Sequence, residues 1–175
     1  MTPIVAAMEG YFTRLNALWK KLGQCLPLHS WYEEEDTALF VSEPEGENMS
    51  REWQPARAMP PQDLPPLCDE LRDFFGVWRF WSLAGKLERR SYTFRPIPTD
   101  EAACQMAQAA IKDGEYYLGS GYVRLASVTY RGNDDLLLMY NQHNGSMTLL
   151  DTDKEITTPL PYTLPELITR MEALL

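Results

Sequence analysis

Two histidines and three cysteines bound the chemistry this chain can do. Cys25 and His29 stand four residues apart in CLPLH, a spacing at which an imidazole could draw the proton from a thiol and make it a nucleophile. Pro27 lies between them, the stretch has no helical pattern to set the two on one face, and the pairing is set aside. His143, in NQHNG, reads as a turn residue. Neither histidine sits in HExxH, and no Cys/His cluster has zinc spacing. DTDKE, at Asp151 to Glu155, opens with the alternating acids of a calcium loop. It then fails, because Ile156 stands where the sharp turn needs glycine and Tyr162 stands where the closing glutamate belongs. GSG at Gly119 to Gly121 is short for a phosphate cradle and runs into YVRLASV, a strand pattern, where a nucleotide loop needs a helix. A hydrolytic carboxylate pair can be drawn from any set of 25 acids, and no flanking signature selects one. The residues of this chain carry no recognisable catalytic signature, and neither a metal site nor a cofactor site is expected from them.

What it binds is narrowed by charge. With 25 Asp and Glu against 16 Lys and Arg, the formal net charge is -9. That balance repels phosphate backbones and anionic headgroups, which argues against nucleic acid and against a membrane surface; a basic protein partner is the complementary expectation, and surface charge that simply keeps the protein soluble is the plainer one. The apolar share, 45%, and the charged share, 23%, are those of a globular domain, and 175 residues suit a single one. Cys25, Cys68 and Cys104 are odd in number and widely spaced, as in a reducing compartment. MTPIVAAMEGYFTRL has no signal-peptide layout, and no apolar run approaches the roughly 18 residues a membrane span needs. These features predict a cytoplasmic protein.

The elements that position these residues follow from periodicity. Ile4, Met8, Tyr11, Leu15, Leu18 and Leu22, widened by Val5, Phe12 and Trp19, form the inward face of a first helix that stops at Gly23. A strand is predicted from Thr37 to Ser42, and residues 43–66, rich in proline, read as one long excursion. Asp63, Pro65 and Pro66 announce a second helix carrying Leu67, Leu71, Phe74 and Phe75 and ending at Gly76. VWRFWSL, AGK and LERRSYTF then read as a β-hairpin or two successive strands, the first with aromatics on both faces and so central in a sheet. Thr99 caps a third helix to about Lys112, closed by Gly114. LASVTYR, LLLMYN and MTLLDT form a meander with turns at RGND and HNG. A capping box at Thr163 and Glu166 opens a last helix, with Leu164, Leu167, Ile168, Met171, Leu174 and Leu175 inward. The fold class predicted is α+β: one domain, residues 1–175, with a mostly antiparallel sheet flanked by N-terminal, middle and C-terminal helices.

FTRLNALW in the first helix, LPLHSWYEEEDTALFV, the WQP at Trp53 to Pro55, DFFGVWRFWSLAGKLE, and a C-terminal strand, NG turn and strand ending in PELITRMEALL run in this order along nearly the whole chain. Together they resemble the Syd family, small cytosolic SecY-interacting proteins of the SUKH superfamily. The resemblance implies a non-enzymatic α+β domain with a concave acidic face that binds a basic protein segment. In Syd itself that segment belongs to the cytoplasmic loops of SecY, and binding checks improperly assembled translocon. Other members of the superfamily are immunity proteins, each neutralising a toxin. The chain departs from the family after Ala84 and Gly85, where an acid is typical and Lys86 stands instead, with Arg89 and Arg90 close behind. Positive charge there weakens attraction to basic loops. The resemblance therefore implies a divergent member, read as a bacterial immunity protein against a cognate toxin, with SecY binding and peripheral association through SecY as the alternative.

On that reading the stretch WYEEEDTALFVSEPEGE becomes the interaction surface. Glu33, Glu34, Glu35, Asp36, Glu43, Glu45 and Glu47 supply a negative rim, which speeds encounter and rejects wrong partners. Trp31, Tyr32 and Trp53 are the nearest aromatic candidates for desolvated anchors. Each also has a simpler role as packing against the body of the domain.

Overall fold

The structure, a computed structural model, describes residues 1–31 and 38–175. Its elements run α1 (Pro3–Lys21), β1 (Leu28–Ser30), β2 (Ser50–Glu52), β3 (Ala56–Arg57), α2 (Asp69–Gly76), β4 (Trp78–Arg79), β5 (Ala84–Leu87), β6 (Arg90–Phe94), α3 (Asp100–Leu118), β7 (Tyr122–Tyr130), β8 (Asn133–Asn141), β9 (Met147–Asp151), β10 (Ile156–Pro159), α4 (Leu164–Arg170) and β11 (Glu172–Ala173). Seven strands form one sheet in the order β10-β9-β8-β7-β6-β5-β11, each neighbouring pair antiparallel. The architecture is the α+β domain that the sequence predicts.

Local signals account for the starts of α3 and α4. Thr99 Oγ1 accepts from the Ala102 N–H, and Thr163 with Glu166 forms the reciprocal capping box. The inward residues of α1 (Ile4, Val5, Met8, Tyr11, Phe12, Leu15) join Leu71, Phe74 and Phe75 of α2 and Leu164, Leu167 and Ile168 of α4 over the sheet's Tyr92, Phe94, Val128 and Leu138. Tyr11 fixes α1 to the start of β5: its hydroxyl donates to Ala84 O and accepts from Ala84 N–H, both at 2.9 Å. Arg79 is buried, and its guanidinium donates to the carbonyls of Phe75, Gly76 and Trp78 and to Asp100 Oδ1, joining the end of α2 to the start of α3.

Several boundaries differ from the predicted ones, each for a tertiary reason. Gly114 does not close α3, which continues to Leu118; a Cβ there would lie 2.1 Å from Tyr122 O, so glycine is needed for the helix to sit on the backbone of β7. AGK is not a turn. These residues lie in β5, paired with β6; glycine stands at position 85 because a Cβ would meet Met171 at 2.5 Å, and the chain reverses at Glu88 and Arg89, with φ of 50° and 65°. VWRFWSL contributes only β4, which pairs with β3 outside the large sheet, and an isolated bridge from Phe80 to Ile97. Residues 43–66 are not one excursion but contain β2 and β3. The strand expected from Thr37 to Ser42 reduces to one bridge, Phe40 with Trp53; Thr37 itself lies outside the described residues. Leu22 turns outward where α1 ends, and the last helix stops at Arg170, leaving Glu172 and Ala173 to pair with β5 and Leu175 exposed. β10 was absent from the sequence pattern, which lacks alternation there.

Candidate functional site

The acidic stretch emerges from a small lobe built on β1 and β2, whose register sets Leu28 against Glu52, His29 against Arg51 and Ser30 against Ser50. Two further contacts tie the chain before β2 to that pair: Glu52 N–H donates to Ser42 Oγ at 2.8 Å, and Val41 N–H donates to Glu52 O at 2.9 Å. Beyond Ser42 the chain folds into a tight hairpin. Glu45 and Ser50 exchange two backbone hydrogen bonds of 2.9 Å, and the tip closes through Gly46 (φ 75°) and Met49 (φ 49°).

This hairpin and the segment leading into it expose Glu43, Glu45 and Glu47. Among the described residues none of the three takes part in an ion pair. Glu45 and Glu52 also line a groove of about 420 Å³ whose apolar side is Leu28. The exposed side chains of Val41 and Met49 lie in the same lobe. Carboxylates held on a short paired hairpin present fixed negative charge without first paying for the ordering of a loop.

Beneath the hairpin is an aromatic pile that the sequence reading missed. The ring of His29 stacks on Trp81 at 4.2 Å and 12°, Phe40 stacks on Trp81 at 5.5 Å, and the Arg51 guanidinium lies 4.5 Å from the Phe40 centroid and 5.4 Å from that of Trp31. Arg51 Nε donates to Ser42 O at 2.7 Å, so one cation holds both the pile and the strand leading to the acids. The alternation of His29, Trp31, Phe40 and Arg51 across three separated segments gives no local signal in sequence.

The predicted site residues fall into three groups. Glu45 and Glu47 on the hairpin and Glu43 just before it are exposed. Tyr32, Glu33, Glu34, Glu35 and Asp36 lie outside the described residues. The two tryptophans pack inward. Trp53 is 1% exposed and bridged to Phe40, so it is a core residue and its role as a partner anchor is withdrawn. Trp31 is half-buried against the same core, its backbone N–H donates to Met49 O, and Arg51 lies over its ring.

The remaining chemical candidates take structural places. Cys25 is exposed, whereas His29 is held in the pile. Asp151 Oδ1 accepts from the N–H groups of Asp153 and Lys154, so DTDKE is the turn joining β9 to β10. His143 lies over Gly121, where a Cβ would approach its Nε2 to 2.6 Å. Tyr140 donates to Glu70 Oε1 at 2.8 Å, and burial, helped by that acceptor, raises its phenol far above the ordinary value. Among the described residues no group of three or more His, Cys, Asp or Glu is placed to hold a metal ion, and no helix is long and apolar enough to cross a membrane.

Compared with known proteins, the chain matches no family model and no curated sequence.

Proposed function

We propose that this chain is a non-enzymatic binding module of the bacterial cytoplasm that takes a basic segment of another protein, and that its partner is a toxin domain it neutralises. The observation that supports this reading is the hairpin at residues 45–50 with the segment leading into it: Glu45 and Glu47 on the hairpin and Glu43 just before it are exposed beside a groove with an apolar side. Fixed like charge of this kind raises the association rate with a cationic partner and is sensitive to salt. The leaning towards a toxin comes from the sequence resemblance and from Lys86, whose cation disfavours the basic loops of SecY. The Syd-type alternative has one observation on its side. Lys86 and Glu172 are register partners across β5 and β11, so the unusual cation faces an acid within the same sheet.

The test is capture of partners from the native host with tagged protein, alongside the Glu43→Lys, Glu45→Lys, Glu47→Lys triple variant. Recovery of a toxin domain by the parent protein, lost in the variant, and suppression of that toxin's activity on co-expression is the expected result. Recovery of SecY instead would assign the chain to the alternative. An unchanged association rate and salt dependence in the variant would reduce the acids to a solubilising surface.

A further inference from the structure

β10 stands at one edge of the seven-stranded sheet, with β9 on its inner side and no strand among the described residues on its outer side. All four of its residues are exposed, and three are β-branched. Leu160 N–H donates to Met147 O, which fixes the alternation of the ladder. Ile156 and Thr158 direct their backbone groups towards β9, while Thr157 and Pro159 direct theirs outward. Proline at an outward position gives up no bond to β9. The open edge therefore offers the N–H and C=O of Thr157 and the C=O of Pro159.

A cavity abuts this edge on each face of the sheet. On one face, about 510 Å³ is lined by Tyr116, Tyr117, Leu150 and Thr157, with Glu155 as the charged member. Tyr116 is 81% exposed and Tyr117 43%, unusual for large side chains on a helix that otherwise packs well. On the other face, about 290 Å³ is lined by Arg90, Tyr130 and Lys154 together with Ile156 and Thr158. Asp151 also borders this second cavity, but its oxygens already accept from Asp153 N–H, Lys154 N–H and Asn133 Nδ2. Successive residues of β10 thus alternate between an aromatic, acidic cavity and a cationic one.

We infer that β10 is a docking edge for one extended segment of another protein, bound as an eighth strand whose successive side chains enter these two cavities. Residues directly opposite on paired strands share a face. The partner residue opposite Thr157 enters the tyrosine cavity, where a Lys or Arg lays its stem on the rings and brings its charge to Glu155. Its two neighbours point to the face of Arg90 and Lys154, which suits acidic side chains. A second copy does not fit this pattern: ITTP brings neither a cation to Glu155 nor an acid to Lys154, and two chains of charge -9 repel. Backbone bonds supply the affinity and the alternating cavities the specificity. The acidic hairpin plays no part in this site, and the two are separable by mutation.

The test uses the full chain labelled with nitrogen-15 and two blocked heptapeptides, TVEREVT and its charge inverse TVRERVT. TVEREVT is expected to shift the amide signals of Tyr116, Lys154 and Thr157 saturably and to slow exchange of the Thr157 amide at least tenfold, with TVRERVT binding at least tenfold more weakly. Thr157→Pro removes the outward N–H and is expected to abolish binding; Tyr116→Ser, at an exposed position that leaves the fold intact, is expected to weaken it at least fivefold. Equal binding of the two peptides, no shift with either, or full binding by Tyr116→Ser overturns the proposal. So does a doubling of mass with concentration that Thr157→Pro removes, which would assign the edge to a second copy.

Discussion

Replacing Gly114 by alanine sets two effects of opposite sign against each other. In the interior of a 19-residue helix, alanine is favoured over glycine by about 1 kcal/mol. The added Cβ, however, would lie 2.1 Å from Tyr122 O, 2.4 Å from its carbonyl carbon and 2.6 Å from Val123 N, all backbone atoms of the strand start. Relief to ordinary contact needs α3 to retreat by about 1.3 Å, and a gap of even 0.5–1 Å forfeits roughly a quarter to a half of the dispersion energy along Ala103, Ala107 and Ala110. Overpacking of this sort costs about 1–3 kcal/mol or more. Clash outweighs propensity, and the net loss expected is about 2 kcal/mol, or roughly 4–8 °C in Tm for a chain of this size. Gly10→Ala in α1 is the matched control: its Cβ meets only the flexible Arg14 Nη1, at 3.4 Å, so propensity alone acts and stability should rise by about 0.5–1 kcal/mol. Urea unfolding followed by tryptophan fluorescence reads both variants. If Gly114→Ala stabilises as Gly10→Ala does, the close seating of α3 on β7 is wrong.

Other consequences of the packing can be measured in the same way. Arg79→Met should destabilise by about 3 kcal/mol, because the carbonyls of Phe75, Gly76 and Trp78 lose their donor, while Asp100→Asn, at an exposed carboxylate, should cost under about 1 kcal/mol. Tyr11→Phe leaves the Ala84 N–H without its acceptor and should cost about 1–3 kcal/mol in denaturant titration. Burial raises the phenols of Tyr11, Tyr92 and Tyr140 above their ordinary 10.0, so the unfolded chain loses these protons first. Their contribution is whole below pH 10 and is lost as pH rises beyond it; the unfolding midpoint in urea should fall above pH 10, and less steeply in Tyr11→Phe.

The starts of α3 and α4 were legible because capping is a local affair, whereas α2 begins at Asp69, past the Asp63, Pro65 and Pro66 signal and past Leu67, with no side-chain cap. Thr99 and Thr163 with Glu166 satisfy backbone donors within their own turn, and the three meander strands advertise themselves through alternation and Asn-Gly-type turns. What escaped the sequence was decided at a distance. Gly114 and Gly85 look like punctuation, but each is there because another segment, Tyr122 or Met171, passes too close for a Cβ. β10 has no period to read, since Ile156 to Pro159 are exposed on both faces and only the neighbouring β9 makes them a strand. In the candidate site, charge was legible and support was not. Glu43, Glu45 and Glu47 are visible as acids, whereas Arg51 braces them through rings contributed by residues 31, 40 and 81. Trp53 illustrates the limit: packing against the body is the favoured reading of a large aromatic in a proline-rich stretch, its type leaves a surface anchor open, and its burial settles it as core.

The backbone of Ala84 is a meeting point of distant parts of the chain. Its oxygen accepts from the Tyr11 hydroxyl and from Leu174 N–H, and its nitrogen donates to Tyr11. Residues separated by almost the whole chain thus close on one point in the middle. At translation rates of about 5–20 residues per second, the part of the α1 face that packs on α4 and β11 waits roughly ten to thirty seconds for them to emerge. Phe12 can meet Trp78 and Phe80 as soon as those residues are made, whereas the contacts of α1 with α4 and β11 wait for the last residues of the domain.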